Sequence, residues 1–436
     1  MAKLFLVTGA TGYIASRLIP RLLDSGYRVR CLARDRLRLK GRSWFNQVDI
    51  IQADVTTPAS LVCAFDGVDT AYYLIHNMSA GHGYIKVELN AARNFASAAE
   101  AAGIQHIIYL GGLADPEQHI ASHVRSRIET GKVLREGKVP VTEFRAGVII
   151  GSGSISFEMI RFMTELFPIV PGPMWMKNKS QPVAIQNVID YLFAALTNPN
   201  GRGGVFEIGG PNVTEYGDLM LHYARARRLK RNMFLIPGIP ISFMAFGVGL
   251  MTPVPYPIAY ALIGDLSADS IVKYPETLKI FPEVKLIDLD SATRDALTET
   301  HPLHIERVWD DGKAQAKSIK HEGCFIDHCE LKINASLEDV FKVLEHLALE
   351  RNWQIEINEE NLRILVCEKN QRFGKRWLEW RAGPGSLTGK FANLTYLSQT
   401  IFFSPNGLPG FLYWYFIHPF HLLRFRGLIG KTSRKN

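Results

Sequence analysis

Cysteine is scarce in this chain and follows no pairing pattern. The five, Cys31, Cys63, Cys324, Cys329 and Cys367, are scattered and odd in number, which argues against a disulfide-stapled secreted scaffold and for a reduced, cytoplasmic setting. Only Cys324 and Cys329 lie close together, near His321 and His328. No second ligand pair at zinc-site spacing accompanies them, so no metal site is expected. A long uninterrupted apolar run is also missing. The opening Met1–Thr8 meets glycine too soon for the core of a signal peptide. The most apolar internal stretch, 233–260, is broken by Pro237, Gly238, Pro240, Pro253, Pro255 and Pro257, whereas a spanning helix needs about 20 apolar residues in succession. A dominant charge is absent as well. Fifty basic against 42 acidic residues leave a net charge of +8, which suits anionic ligands or a membrane surface without singling out nucleic acid.

What is present is enough apolar material for two cores. The chain has 436 residues and 47% hydrophobic content, and single cores stop growing near roughly 250–300 residues. Up to about residue 150, short β-branched runs alternate with helical ones. Residues 3–8, 28–33, 48–53, 70–75, 106–110 and 141–145 read as strands, and 12–25, 58–65, 84–102 and 120–136 as helices. Strands apolar on both faces and separated by helices predict an α/β, doubly wound parallel sheet of the Rossmann type, with its ligand site at the carboxyl ends of the strands. Residues 151–310 are loop-rich with helical runs such as 183–196 and read as a substrate lobe. The polar stretch 311–322 reads as a linker, and 323–430 as a smaller α+β domain with strands near 364–368 and 394–403 and a helix near 337–349.

The loop Thr8-Gly9-Ala10-Thr11-Gly12-Tyr13-Ile14-Ala15 joins the first strand to the first helix. Gly9 suits a tight turn, and Gly12 allows a pyrophosphate to approach bare backbone at a helix N-terminus. At the end of the second strand an NAD-binding protein carries a carboxylate for the ribose, and here that position is Ala33 followed by Arg34. A guanidinium without that carboxylate favours a 2′-phosphate, hence NADP(H) over NAD(H). Asp35 is the competing ribose ligand if the strand ends one residue later. Arg36, Arg38, Lys40 and Arg42 continue a basic run that reads as a solvated loop beside the adenosine end.

Residues 8–14, Ala53-Asp-Val55, Tyr73-Leu-Ile-His76, Asn90 and Ile108-Tyr-Leu-Gly-Gly112 resemble the atypical short-chain dehydrogenase/reductase proteins. The likeness is greatest to the NmrA-like and YbjT-like proteins and the NADPH-binding accessory subunit of respiratory complex I. The resemblance implies that Gly9, Thr11, Gly12, Tyr13, Ile14 and Arg34 hold the cofactor, that Asp54 and Val55 flank the adenine, and that Leu74 and His76 line the cofactor. It also implies that Gly111, Arg127 and Gly147 lie toward the ribose and nicotinamide. The family's usual serine and Tyr-x-x-x-Lys are missing. Gly111 or Gly112 stands for the serine, and His123-Val-Arg-Ser-Arg127 for the second motif. His123 is therefore a candidate proton carrier, with a surface histidine of no chemical role as the competing reading, and Arg127 a candidate ribose ligand. Asn187, where relatives often carry Asp, reads as structural.

The end of the chain resembles the domain fused to YbjT-like proteins and related to the START-like helix-grip fold. Its aromatic segment 408–429, followed by Lys431, Arg434 and Lys435, either closes over its own sheet or makes a peripheral membrane contact. Two functions compete. One is an NADP(H)-dependent oxidoreductase or epimerase-like enzyme acting on a small or lipophilic carbonyl compound or a nucleotide-sugar. The other is a non-catalytic NADP(H)-binding redox sensor or assembly factor. Oligomeric state is not legible.

Overall fold

The computed structural model describes residues 3–39, 42–76, 83–115, 121–252, 254–302, 324–359, 363–369, 372–384, 394–417 and 420. The chain divides into two compact units, one drawn from Met1–Thr164 and Ile169–Glu299 and the other chiefly from the chain after residue 323. The linker read at 311–322 lies outside the described residues, as do His321, Lys431, Arg434 and Lys435.

In the first unit β1 (Leu4–Val7), α1 (Tyr13–Asp24), β2 (Arg28–Ala33), β3 (Asp49–Gln52), α2 (Pro58–Phe65), β4 (Thr70–Tyr73), α3 (Tyr84–Ala101), β5 (His106–Gly112), α4 (Ser122–Arg135) and β6 (Val141–Ala146) follow in order. With the later strand Val205–Ile208 they form a seven-stranded sheet, parallel throughout. The sheet order runs Val205–Ile208, β6, β5, β4, β1, β2, β3. Every residue of β1, β4 and β5 is buried, because helices cover both faces of a sheet of this kind. The direction of winding reverses between β1 and β4, and a crevice opens at the carboxyl ends of the strands at such a point. The strands and helices read from the sequence are therefore present, within one or two residues at their ends.

The stretch after residue 150 is less loop-rich than its sequence suggests. It carries helices Ile155–Leu166, Ile185–Ala194, Tyr216–Ala226, Ile241–Met251, Tyr256–Asp265 and Leu289–Thr298. The helix expected from 183 starts at Ile185, because Val183 and Ala184 pair as strand with Ile149 and Ile150. Asn187 is fully buried. Its amide donates to the Lys285 carbonyl and accepts from the Ile287 amide, both at 2.8 Å, so it clips two segments of the lobe together.

The second unit is a five-stranded antiparallel sheet in the order Phe325–Asn334, Leu394–Pro405, Gly374–Pro384, Arg363–Cys367, Gln354–Glu359. Helix Leu337–Glu350 buries Val340, Phe341, Leu344 and Ala348 against Ile364, Val366, Leu378, Trp380 and Ile401. Ser336 caps this helix by accepting from the Asp339 amide at 3.1 Å, the usual role of serine at that position. The aromatic segment begins with helix Gly407–Leu412, and Trp414 stacks on Phe403 with ring centroids 5.4 Å apart. Its start thus packs on its own sheet.

Candidate functional site

The crevice is fixed by Thr8, a fully buried residue just after β1. Its hydroxyl donates to the Tyr72 carbonyl at 3.0 Å and accepts from the Leu74 amide at 3.1 Å. These bonds hold the loop after β1 against the end of β4. Gly9 follows with φ +67°, and a Cβ there would come 2.5 Å from the Leu74 carbonyl oxygen. Only glycine satisfies both the left-handed backbone and that approach. Gly12 is the N-cap of α1, with no side chain capping the helix and no acidic residue in its first turn. The amides at this end retain their positive potential for an outside anion.

Gly9, Gly12, Tyr13 and Ile14 border a cavity of about 380 Å³ that continues past Leu74, His76, Gly112, Arg127 and Gly147 into the lobe. Its far wall is apolar, with Met159, Met163, Met176, Met220, Met244 and Val248 among its residues. Where the two regions meet, polar groups gather. His123 and Arg127, four residues apart on α4, share one helix face, and both line the cavity with His76 and Asp265. His123 Nε2 lies 2.6 Å from Asp265 Oδ2. His76 Nδ1 lies 2.7 Å from Glu88 Oε1, and Ser126 Oγ donates to Glu88 Oε2 at 2.5 Å. The two imidazoles are 6.1 Å apart. His123 Nδ1, His76 Nε2, Arg127 Nε and Asp265 Oδ1 are buried without a hydrogen-bond partner among the described residues. Buried polar atoms left unpaired together mark a place where a ligand completes the bonding.

Burial acts on His76 and on Asp265 in opposite senses. Burial pulls His76 below the ordinary histidine value, against the opposing hydrogen bond to Glu88, and the positive charge of Arg127 adds to the fall. Burial pushes Asp265 up, while the hydrogen bond from His123 pulls it back. Asp265 also ends its helix, where the helix dipole disfavours a negative charge. Arg127 Nη2 donates to the carbonyls of Leu110 at 2.8 Å and Gly111 at 3.0 Å, so the guanidinium holds the end of β5.

Several sequence readings change. His123 is only 5% exposed, which removes the reading as a surface histidine. Gly111 does not border the cavity; a Cβ there would face Glu143 and Tyr109, whereas one on Gly112 would face Val124 and Arg127. Adjacent strand residues point to opposite faces, and of the two only Gly112 faces the cavity. Arg42 is buried, and its guanidinium reaches the Thr11 carbonyl at 3.4 Å. It belongs to the glycine loop and not to a solvated run. Arg34 is exposed directly after β2. Asp54 and Val55 follow β3, which pairs with β2, but neither borders the cavity. The Asp54 carboxylate accepts from Thr56, and the Val55 carbonyl from Asn94. Thr11 also stands outside the lining, in the turn between Gly9 and Gly12.

Glu88 and Asp265 were not singled out from sequence. For Glu88 a signal existed. Glu88, Ala91, Ala92, Phe95, Ala96 and Ala99 are the buried positions of α3, and their spacing is that of an apolar helix stripe in which one position is a carboxylate.

Residues 1–200 match the NmrA-like family, and residues 314–428 match a family described as a protein of unknown function, DUF2867. The chain is 31% identical over 309 residues to cinnamoyl-CoA reductase 1 of Oryza sativa subsp. japonica, covering 61% of this chain and 86% of the relative. It is 28% identical over 276 residues to (4-alkanoyl-5-oxo-2,5-dihydrofuran-3-yl)methyl phosphate reductase of Streptomyces griseus subsp. griseus, covering 60% of this chain and 85% of the relative. The triphenylmethane reductase of Citrobacter sp., solved with NADP(H), superimposes with a TM-score of 0.55 at 19% identity over 67% of this chain and 99% of that one. By the 31% identity that spans 86% of cinnamoyl-CoA reductase 1 and by its sheet order, the chain belongs through its first unit to the same family of Rossmann-fold proteins as that reductase, with residues 1–200 matching the NmrA-like family.

Proposed function

We propose that the first unit binds NADP(H) along its glycine loop and reduces a carbonyl or quinone-like group of an apolar compound, with His123 as the proton donor. The observation that carries this reading is the His123–Asp265 pair. It borders the cavity between the glycine loop and the apolar wall, on the helix where relatives carry their Tyr-x-x-x-Lys. The dinucleotide fits the residues present. The uncapped helix end at Gly12 and the bare approach at Gly9 suit a diphosphate, and exposed Arg34 suits a 2′-phosphate. The Citrobacter reductase, named as an NADP(H) complex, supports the same cofactor. A reduced nicotinamide supplies hydride when bound.

The protein's own contribution is positioning and the proton. Asp265 accepts from His123 Nε2 and stabilises the imidazolium, which leaves Nδ1 free to protonate an oxyanion. Arg127 fixes the carbonyl end of β5 and stands where relatives have lysine, from which it would hold the ribose. The lining favours a lipophilic substrate over a nucleotide-sugar. Among the described residues Arg127 is the only lysine or arginine that borders the cavity, and its Nη2 is bonded to backbone carbonyls, so a second diphosphate lacks a cation.

The test is consumption of NADPH with a panel of quinones, enones and aromatic aldehydes, followed by nucleotide-sugars. Turnover of apolar members that His123→Ala abolishes supports the enzyme. Tight NADPH binding with no turnover across the panel favours a redox sensor or assembly factor, the reading to which the absent Ser-Tyr-Lys set lends weight.

A further inference from the structure

Residues 219–264 contain no aspartate or glutamate, yet they hold Arg225, Arg227, Arg228, Lys230 and Arg231. Arg225, Arg228 and Lys230 are exposed. This basic segment leads through strand Asn232–Ile236, with Phe234 61% exposed, into helices Ile241–Met251 and Tyr256–Asp265.

The two helices pack closely, since a Cβ on Gly249 would stand 3.2 Å from Tyr256 Cα. Together they roof part of the cavity. On the inner side Met244, Val248, Leu262 and Ile263 border it. On the outer side Phe243, Phe246 and Leu250 are 67%, 60% and 66% exposed, and their i, i+3, i+7 spacing sets them in one stripe. Tyr256 and Tyr260 are also exposed, with rings 6.1 Å apart. Single exposed apolar residues are ordinary, but a clustered set marks an interaction surface.

We propose that this roof docks on an anionic lipid surface. Phe243, Phe246 and Leu250 would enter the headgroup and acyl boundary, Tyr256 and Tyr260 would sit at headgroup level, and Arg225, Arg228 and Lys230 would meet lipid phosphates. The helix of 11 residues is far shorter than the roughly 20 needed to cross a bilayer, so it lies in the interface. Charge decides for lipid over a second copy of the chain. A two-fold contact through these helices would bring together two copies of a segment that carries five cations and no acid, whereas an anionic membrane neutralises it. The inner side of the same roof is the apolar cavity wall. The proposal concerns the outer surface and does not depend on which cofactor is bound.

The experiment is co-sedimentation of the full chain with vesicles of phosphatidylglycerol and phosphatidylcholine, and with phosphatidylcholine alone. The expected result is binding to the anionic vesicles that weakens with salt. Binding should fall about tenfold or more in the triple variant Phe243→Ser, Phe246→Ser, Leu250→Ser, and also in Arg228→Gln with Lys230→Gln. NADPH affinity, measured by calorimetry on the same preparations, stays at the wild-type value and verifies that each variant is folded. Any of three results overturns the proposal: no binding to anionic vesicles, binding unchanged in both variants, or a wild-type dimer that the triple variant dissolves. A loss of NADPH binding by the wild type would instead count against the cofactor reading alone.

Discussion

His123 Nε2 lies 2.6 Å from Asp265 Oδ2, joining α4 to the end of a helix that follows it by more than a hundred residues. The contact binds the Rossmann core to the lobe at the point where the glycine-loop end of the cavity meets its apolar wall. A histidine with one nitrogen on a carboxylate and the other unpaired is arranged to deliver a proton.

Asp265→Asn keeps the shape of that pair but removes the charge that stabilises imidazolium. The expected outcome is a fall in kcat of about 10²-fold with little change in NADPH affinity. His123→Ala falls as far or further, and the double variant is no worse than His123→Ala, because the two act as a unit. Steady-state kinetics on the best substrate of the panel measures this. Additive losses would mean that Asp265 works by another route.

Gly131 lies inside α4, where alanine ordinarily stabilises by about 1 kcal/mol. Here a Cβ would come 2.3 Å from Glu143 Oε2. Glu143 is fully buried and paired with both Arg135 and Arg145, so the carboxylate has no room to yield. Gly131→Ala is therefore expected to destabilise, by about 3 kcal/mol if the ion pairs are disrupted. Urea denaturation gives the sign directly.

Burial beside the Arg202 guanidinium pushes His106 down to about 4. Its Nε2 donates to the Thr142 hydroxyl at 2.8 Å, which donates in turn to the Gly201 carbonyl. The folded form holds this histidine neutral, while the unfolded chain takes up a proton near the ordinary value. Stability is thus intact above about pH 6.5 and drains as pH falls toward 4, by on the order of 3 kcal/mol from this group. In His106→Gln the slope of stability with pH over that interval should flatten, even if the variant is weaker at neutral pH. An unchanged slope would mean that His106 already titrates normally.

Much of the first unit could be read in advance because each piece of evidence was local. The glycine loop, the strands apolar on both faces and the alternating helices are patterns within a few residues of one another. What escaped depends on distance in the chain. Nothing in Tyr256–Asp265 announces that its last residue meets His123, and Arg42 reads as one of a run of solvated cations until the fold turns it back to Thr11. The prolines between 237 and 257 argued correctly against one long spanning helix. They also concealed two short helices, because Pro240 and Pro255 are N-caps that start them. Which of Gly111 and Gly112 faces the cavity depends on packing against α4 and β6, residues distant in the chain.

The central claim is that the crevice at the end of β1 and β4 holds a dinucleotide and that cations past β2 recognise its extra phosphate. Calorimetric titration of NADPH and NADH into the wild type and Arg34→Ala tests it most directly. The account predicts tighter NADPH binding by the wild type, and a loss of about 10- to 100-fold for NADPH in the variant with NADH little affected. Absence of binding by either dinucleotide, or an equal loss for both in Arg34→Ala, would contradict it.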